Sequence, residues 1–419
     1  MAVSDQSISA TANALKAIYS PDELMFKLSR HHALWNDIKK SDTFEGDSIV
    51  HMVQHGFNQG IGTSMLDAET NMSTDLDARF TVTRKKIYAA GKIEREVILA
   101  TRSNKGSVVR QLKRSLDSCL FNLERTLNFM VWGDGGGAYA VITSTATPAL
   151  TISNLQGMHW LEKDMMVHYS ADRGATGTAT VLQNGGAEGA VATGLTNTIL
   201  SVNRRTGVVT MSAAIDNDVA AGQFIFRKGT KAGMPYGVRA WVPQTDALAA
   251  ATFAGQDRSL DTERLGGLRY LDPAATYAET IRLACAYASN IGGEFSTIYM
   301  NPIDVAKLQE SERSDVVHDS KRGELDIGFD VVKFRTPIGT LDLLDDSGCP
   351  EGWAFICDPS VFEFKHLGKV FGFFEEDGLL QRIAGYDGYG FRGGTYGNLV
   401  CHDPKSAMWV KLKASPADV

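Results

Sequence analysis

Residues 104–132 carry the most regular hydrophobic pattern of the chain and predict one long amphipathic helix. Apolar residues recur there at steps of three or four and form one stripe: Val109, Leu112, Leu116, Leu120, Leu123, Leu127 and Met130. A helix of this length extends about 40 Å, which exceeds most helices of globular proteins. We expect it to end at the glycine-rich run 133–137, because glycine favours conformations outside the helix.

The segment before this helix has the pattern of an extended projection. Residues 48–57 predict one strand, residues 60–64 a glycine-containing tip, and residues 79–99 the returning strand. We therefore predict a two-stranded finger over residues 46–100. Because an isolated hairpin is only marginally stable in water, and nothing nearby in the sequence can cover this one, we expect it to lie against a neighbouring subunit. Residues 1–45 predict a polar arm with short helical patches.

The remainder of the chain combines a β-rich stretch with a mixed one, which places the fold in the α+β class. Residues 138–145 predict a strand of the main body. Residues 148–235 predict a small inserted β-domain with strands at 165–169, 198–202, 207–211 and 223–227. Beyond it, the pattern predicts helices over 277–289 and from Asn301 onwards, and strands at 295–300, 331–334, 338–343, 354–357 and 406–412.

Charge is unevenly distributed along the chain. The net charge is −7, but residues 84–125 contain 11 Lys and Arg against 4 Asp and Glu, so this stretch carries +7 and the rest −14. Such asymmetry fits complementary contact between copies of the chain, or a basic surface that faces a polyanion. A solvated helix face explains the basic stretch equally well.

The cysteines and the hydropathy restrict the compartment. The five cysteines, at positions 119, 285, 349, 357 and 401, show no CxxC spacing, which favours buried thiols over disulfides or zinc ligands. The N-terminal residues lack the apolar centre of a signal peptide, and no apolar run reaches 18 residues. We therefore expect a soluble cytoplasmic product.

Two short patterns resemble known binding sites only by letter. Residues 388–393 match GxGxxG, but a dinucleotide site needs those glycines between a strand and a helix, so we predict a turn or bulge here. His51 and His55 would lie about 13 Å apart on a strand, too far to share a metal ion.

The other candidate groups also lack the partners that chemistry requires. Two pairs of acids, at 75/77 and 216/218, are predicted to be solvated turn residues. Cys401 and His402 are adjacent in sequence, whereas a catalytic pair must meet across space. We therefore predict no catalytic residues, no cofactor and no metal site.

The order of these elements resembles the major capsid proteins of tailed phages, which share the Hong Kong 97-type fold. Three stretches look like sequences of such capsid proteins: residues 253–261, residues 264–269, and residues 299–304, where a predicted strand leads into a helix. The resemblance covers nearly the whole chain. It implies a structural protein, not an enzyme, whose copies form the pentamers and hexamers of an icosahedral shell around a double-stranded DNA genome.

The resemblance also implies a division of the chain into capsid domains. It assigns an N-terminal arm to 1–45, an extended β-hairpin loop to 46–100, a peripheral domain with the spine helix to 101–147, an inserted β-rich domain to 148–235, an axial domain to 236–364, and a return to the peripheral domain to 365–419. The implied location is the virion, assembled in the host cytoplasm.

The implied partners follow from the same resemblance. They are further copies of the chain, a portal, packaged DNA in non-specific contact, and a decoration protein as a further candidate; no membrane is implied. Because 45 polar residues are too few for a cleaved scaffolding segment, we expect a separate scaffolding protein.

Three other classes of function remain open from the residues alone. Another virion protein, such as a tail-tube or decoration subunit, would be mostly β and would lack the long helix. A hydrolase with a β-accessory domain would need convergent catalytic residues. A nucleic-acid-binding protein would use the basic stretch through backbone attraction.

Overall fold

The structure is a computed structural model. It describes residues 32–95, 118–119, 121–123, 125–146, 148–152, 155–174, 197–212, 219–245, 252–274, 276–311, 316–318, 332–374, 381–382, 385 and 387–412. No helix within these ranges has the length and apolar character needed to cross a membrane.

The first part of the chain is mostly β. Its elements are α1 (Ala33–Asp37), β1 (Lys39–Ser41), β2 (Ser48–Gly56), α2 (Met65–Thr70), β3 (Leu76–Thr83), β4 (Lys85–Glu94), α3 (described at 118–119, 121–123 and 125–132), β5 (Ala138–Ala146), β6 (Ala149–Ile152), α4 (Leu155–Trp160), β7 (Met166–Ser170), β8 (Asn197–Asn203), β9 (Val208–Met211), β10 (Phe224–Arg227) and α5 (Val238–Trp241).

The second part adds the larger helices. Its elements are β11 (Thr252–Phe253), β12 (Gln256–Asp257), α6 (Thr262–Gly266), β13 (Leu268–Tyr270), α7 (Tyr277–Ile291), β14 (Thr297–Met300), α8 (Pro302–Ser311), β15 (Val316–His318), β16 (Val332–Thr336), β17 (Gly339–Asp345), β18 (Trp353–Cys357), β19 (Phe362–His366), β20 (Gly372–Phe373), β21 (Gln381–Arg382), β22 (Gly388–Cys401) and β23 (Ala407–Lys411).

The end of the predicted long helix is confirmed. Helix α3 ends at Trp132, immediately before the glycine run, and the stripe residues Leu123, Leu127 and Met130 are buried as predicted. Asn128 is also buried, so the last turns of the helix are enclosed on more than one face. Residues 104–117 of this prediction lie outside the described residues.

The finger is shorter than the sequence predicts. Only β2 and β3 form the antiparallel hairpin, in a register that pairs Ser48 with Thr83 and Gly56 with Leu76. Residues from Lys85 onwards turn away and form β4, which pairs with β22 instead. The apolar alternation at Phe80 and Val82 is interrupted by Arg84, Lys85 and Lys86 and resumes at Ile87, and alternation shows that a segment is extended without showing which strand it pairs with.

Strand β22 belongs to a six-stranded sheet that also contains β1, β4, β19, β20 and β21. The turn or bulge predicted for residues 388–393 is wrong, because these residues pair with β4 in continuous register. One of these glycines makes room for an aromatic ring: a Cβ at Gly393 would lie 2.8 Å from Cζ of Phe371. Across the pair, a Cβ at Gly91 would lie 2.1 Å from Cζ of Phe391. Glycine is therefore required here for close packing.

The end of the predicted N-terminal arm belongs to the core. Helix α1 and strand β1 place Leu34, Trp35, Ile38 and Phe44 in buried positions, and β1 pairs in parallel with β19. The ring of Trp35 meets Phe364 edge-on at 5.2 Å. The arm prediction is thus wrong for residues 33–45, because the few apolar side chains of this short, otherwise polar stretch pack against segments more than 300 residues away in sequence. Residues 1–31 lie outside the described residues.

The predicted β-domain is a closed barrel, with strand order β10-β5-β6-β9-β8-β7. All four strands predicted within 148–235 are present, and residues 204–207 form the turn between β8 and β9. Strand β5, which we placed in the main body, is part of this barrel. The barrel therefore starts at Ala138, because a strand pattern cannot show which sheet the strand joins.

A seven-stranded sheet with order β13-β23-β18-β14-β17-β16-β15 forms the other half of the body. Helix α7 covers it, starting at an N-cap in which Thr276 Oγ1 accepts a hydrogen bond from the Glu279 N–H and ending at Gly292 in the left-handed region. Strand β23 pairs with β13 and β18 inside this sheet, although we grouped it with the C-terminal return. The division into capsid domains stays a prediction.

Candidate assembly surface

The β2–β3 hairpin has one buried and one exposed face. Val53, Phe80 and Val82 point into the body, where Phe80 meets the Trp241 ring edge-on at 5.2 Å. On the opposite face of β2, Val50 is 56% exposed. Successive side chains of a strand point to opposite faces of the sheet, so the hairpin buries one set of apolar side chains and exposes the other.

Polar contacts fix strands β2 and β3 to residues 252–264, from Thr81 near the root to His55 at the end next to the tip. The Thr81 N–H donates to the Ala254 carbonyl at 2.7 Å, and Arg264 Nη1 donates to the His55 carbonyl at 2.7 Å. The expectation that the finger has nothing to pack on within its own chain is therefore wrong for its root. Sequence separation concealed both contacts, since the partners are about 170 and 209 residues apart.

The tip of the hairpin, residues 57–75, has its own internal structure. Ser64 is the N-cap of helix α2, and its Oγ accepts from the Asp67 N–H at 3.2 Å. The Asn58 side chain accepts from the Gly60 and Ser73 N–H groups, which closes the loop. The Ser64-x-x-Asp67 spacing is a helix-start signal that could have predicted α2 from the sequence.

The tip nevertheless exposes most of its apolar side chains. Ile61 is 82% exposed, and the other members are Phe57, Met65, Leu66, Met72 and Leu76, each more than half exposed. Scattered exposed apolar residues are ordinary, but a concentration of six within 20 residues marks an interaction surface. The same segment carries four acids and no Lys or Arg between 57 and 77.

A polar cluster lies under the root of the hairpin. The His51 ring meets the His402 ring edge-on at 4.7 Å, and His402 Nε2 lies 3.1 Å from Glu363 Oε2. Burial, then the neighbouring His402 and Lys365 charges, lower the pKa of His51 to about 4, although Glu363 opposes the shift. Burial alone would raise the pKa of Glu363, but hydrogen bonds and cations around it lower the net value. This cluster was missed because more than 300 residues separate His51 from Glu363 and His402.

The candidate residues identified from the sequence do not come together in a reactive site. Cys401 is fully buried, and burial raises its pKa well above the ordinary value, so its thiolate is disfavoured beside His402. Asp75 accepts a hydrogen bond from the Asn58 N–H, a structural role in the tip. Among the described residues, no group of three His, Cys, Asp or Glu side chains is arranged to hold a metal ion. Asp216 and Asp218 lie outside those residues.

Part of the basic stretch is neutralised within the chain. Arg84 forms an ion pair with Asp47 at 2.9 Å, and Arg125 pairs with Glu162. Lys86 is exposed on β4. Residues 96–117, which hold five of the eleven basic side chains, lie outside the described residues. The stretch is therefore not a continuous free polycation, which weakens the nucleic-acid alternative.

One solved structure has the same architecture over nearly the full length. A chain of the Cyanophage A-1(L) capsid asymmetric unit aligns with a TM-score of 0.52 at 10% identity, covering 90% of both chains. The chain has the fold of a phage capsid protein. The predicted resemblance to tailed-phage capsid proteins is thereby confirmed at the level of the fold, together with the α+β class.

Other chains align over similar lengths with lower scores than this capsid match. A chain from Mycobacterium phage Ogopogo gives a TM-score of 0.42 at 13% identity and covers 91% of both chains. A chain of the native GTA particle capsid gives 0.43 at 8% identity and covers 91% of this chain and 90% of its own. No protein-family model matches the chain, and no curated protein matches it.

Proposed function

We propose that this chain is the major shell subunit of a tailed-phage head, which self-assembles into pentamers and hexamers around a double-stranded DNA genome. The observation that carries the proposal is a capsid fold with a hairpin whose strands are fixed to the body and whose exposed tip is apolar. Interfaces of obligate assemblies are large and apolar, and this tip has that character. The role is structural, without catalysis.

The architecture suggests how the capsid domains are distributed. In this proposal, the seven-stranded sheet with α7 forms the axial domain, and the β22 sheet with α3 forms the peripheral domain. The barrel is the inserted domain. A separate scaffolding protein, a portal and packaged DNA are the further partners, in a virion assembled in the host cytoplasm.

The tip can be removed without disturbing the hairpin register. Gly56 and Leu76 are paired, so residues 57–75 can be replaced by Asn-Gly, which favours the two-residue turn of a tight hairpin. Buried Val53 and Phe80 stay in place, so we expect normal folding by circular dichroism. We expect the full chain to form rings or shells in negative-stain images, and the shortened chain to remain unassembled.

Two single substitutions test whether assembly requires the apolar character of the tip or only the presence of its residues. Leu66→Ser should reduce assembly, whereas Leu66→Met, which keeps an apolar side chain of similar volume, should retain it. Shells of normal size from the shortened chain would contradict the role of the tip. A stable monodisperse monomer of the full chain at high concentration would contradict the proposed function, and tubes instead of shells would favour a tail-tube subunit.

A further inference from the structure

A cleft of about 340 Å³ opens where the barrel meets the rest of the chain. One wall is strand β4, the second is helix α3, and the third is the turn that follows β10 of the barrel. Its floor is apolar, formed by the buried side chains of Ile87, Leu123 and Met234. A volume of this size is in the range that holds a small organic molecule.

The rim of this cleft is basic. Lys86, Arg227 and Lys228 line it and are exposed, and no Asp or Glu is present among its described lining residues. None of the three forms an ion pair with a carboxylate of the described residues, whereas the neighbouring Arg125 of α3 pairs with Glu162. Like charges gathered at one opening repel each other, so a bound anion would stabilise this arrangement.

The guanidinium of Arg227 acts inside the cleft. It forms a hydrogen bond with the hydroxyl of buried Tyr139, and its charge also acts on Cys119, another lining residue. Burial raises the pKa of Tyr139, and the guanidinium partly opposes this rise. An arginine has five N–H donors in a planar fork, so a bond to Tyr139 leaves further donors for the two oxygens of an anion.

The apolar floor and the basic rim together select the chemistry of the occupant. A simple inorganic anion would leave the floor in contact with water, and a neutral apolar molecule would leave the cations without a partner. A DNA duplex could contact the rim through its phosphates, but it is too broad to enter a cleft of this volume. Apolar contact and charge complementarity act together only for a small organic anion that carries an apolar group.

We propose that this cleft binds a small organic anion, with its acidic group on Arg227 and Lys228 and its apolar group on the floor. Such a ligand contacts the barrel through Arg227 and strand β4 of the six-stranded sheet through Ile87, so it joins the two. The inference goes beyond shell formation and is tested on the unassembled chain, so a failure to form particles would leave it standing.

Cys119 reports whether the cleft is occupied. It lines the cleft and is partly exposed, whereas the other four cysteines are buried. Iodoacetamide, which carries no charge, alkylates the thiolate with loss of iodide, and a bound ligand should shield it. Because burial raises the pKa of Cys119, the reaction is run at mildly alkaline pH. The variant Cys119→Ser should take up no label, which would show that the buried thiols are silent.

Three ligands test the charge and the apolar group separately. Naphthalene-2-sulfonate has both an acidic group and an apolar ring, naphthalene-2-sulfonamide keeps the ring without the charge, and methanesulfonate keeps the charge without the ring. We expect naphthalene-2-sulfonate, at millimolar concentration and low salt, to slow the alkylation of Cys119 at least several-fold. The other two compounds should leave the rate nearly unchanged.

Two neutralising variants test the rim. Lys228→Gln and Arg227→Gln should each reduce the protection at least several-fold, because each removes a positive charge that faces the anion. The matched control is Lys163→Gln, since Lys163 is exposed and is absent from the lining of the cleft. It should keep the protection of the wild type. Lys228 is exposed, so its replacement should leave the fold intact, which circular dichroism checks.

Thermal unfolding gives a second readout that does not use the thiol. A ligand that binds only the folded chain raises its midpoint, so naphthalene-2-sulfonate should raise that of the wild type and of Lys163→Gln but not that of Lys228→Gln. Absence of protection by naphthalene-2-sulfonate, or protection that Lys228→Gln leaves unchanged, would overturn the inference. Equal protection by the sulfonamide, by methanesulfonate or by a DNA duplex would also overturn it, because either the rim or the floor would then play no part.

Discussion

Replacing His51 should flatten the acid sensitivity of folding. His51 lies on the inward face of β2, against His402 and Trp241, and its Nε2 is buried without a hydrogen-bond partner among the described residues. Its pKa is lowered to about 4 from an ordinary 6.5. Between these values the unfolded chain binds the proton that the folded chain refuses, so stability is full above pH 6.5 and falls as the pH drops toward 4.

The size of the effect follows from the two pKa values. Between pH 7 and pH 5, a pKa of about 4 instead of 6.5 corresponds to at most about 2 kcal/mol of lost stability. His51 retains some contact with solvent, so screening reduces this to about 1 kcal/mol. A hydrogen bond with the Cys401 backbone and the charge of Glu363 oppose the lowering of this pKa, whereas His402 and Lys365 reinforce it.

The measurement is urea unfolding of the unassembled chain at pH 5, 6 and 7, for wild type, His51→Phe and His51→Gln. The two variants differ in packing and hydrogen bonding, but both remove the titrating ring. Other groups that titrate in this range, such as Asp346, contribute to all three proteins and cancel in the difference. Each variant should lose about 1 kcal/mol less than wild type on acidification. Parallel curves for all three would refute the reasoning.

Two further substitutions test the packing of the body. Gly91→Ala should lower the free energy of unfolding by about 1–3 kcal/mol, because its Cβ is forced against the Phe391 ring. Gly372→Ala on the same sheet meets only a flexible side chain and should leave the stability nearly unchanged. Equal unfolding midpoints of the two variants in urea would contradict this reasoning. Arg258→Ala should cost about 3 kcal/mol, because buried Arg258 donates to two backbone carbonyls and stacks on Phe253 at 4.5 Å. Its thermal midpoint should fall well below that of wild type, and an unchanged midpoint would contradict the role.

The sequence predicts the helices and strands of this protein better than it predicts which strands pair with one another. The strands of the barrel and the helix at 277–291 follow from periodicity and turn residues, because these signals are local. The pairing of β4 with β22 joins segments about 300 residues apart, and nothing in either pattern specifies it. For the same reason, the glycines at 388–393 indicated a turn, because the sequence does not show that Gly393 packs against the Phe371 ring.

The candidate assembly surface could likewise be predicted from the sequence only in part. An extended, partly apolar projection could be predicted from residues 46–100, and its exposed tip agrees with that prediction. The anchoring of its root could not be predicted, since the Thr81 and Arg264 contacts arise only when distant segments fold together. The histidine cluster beneath the root is hidden from sequence for the same reason.

A root that is fixed within the folded chain has a consequence for assembly. The backbone of β2 and β3 is ordered by Phe80, Trp241 and the hydrogen bonds to residues 252–264 before any partner arrives. Association then needs to immobilise only the side chains of the tip, which lowers its entropic cost and favours docking with little backbone movement. Protonation of His51 adds positive charge beside His402 and Lys365 at this same root. Acidification should therefore weaken assembly by loosening the hairpin's orientation before it unfolds the body.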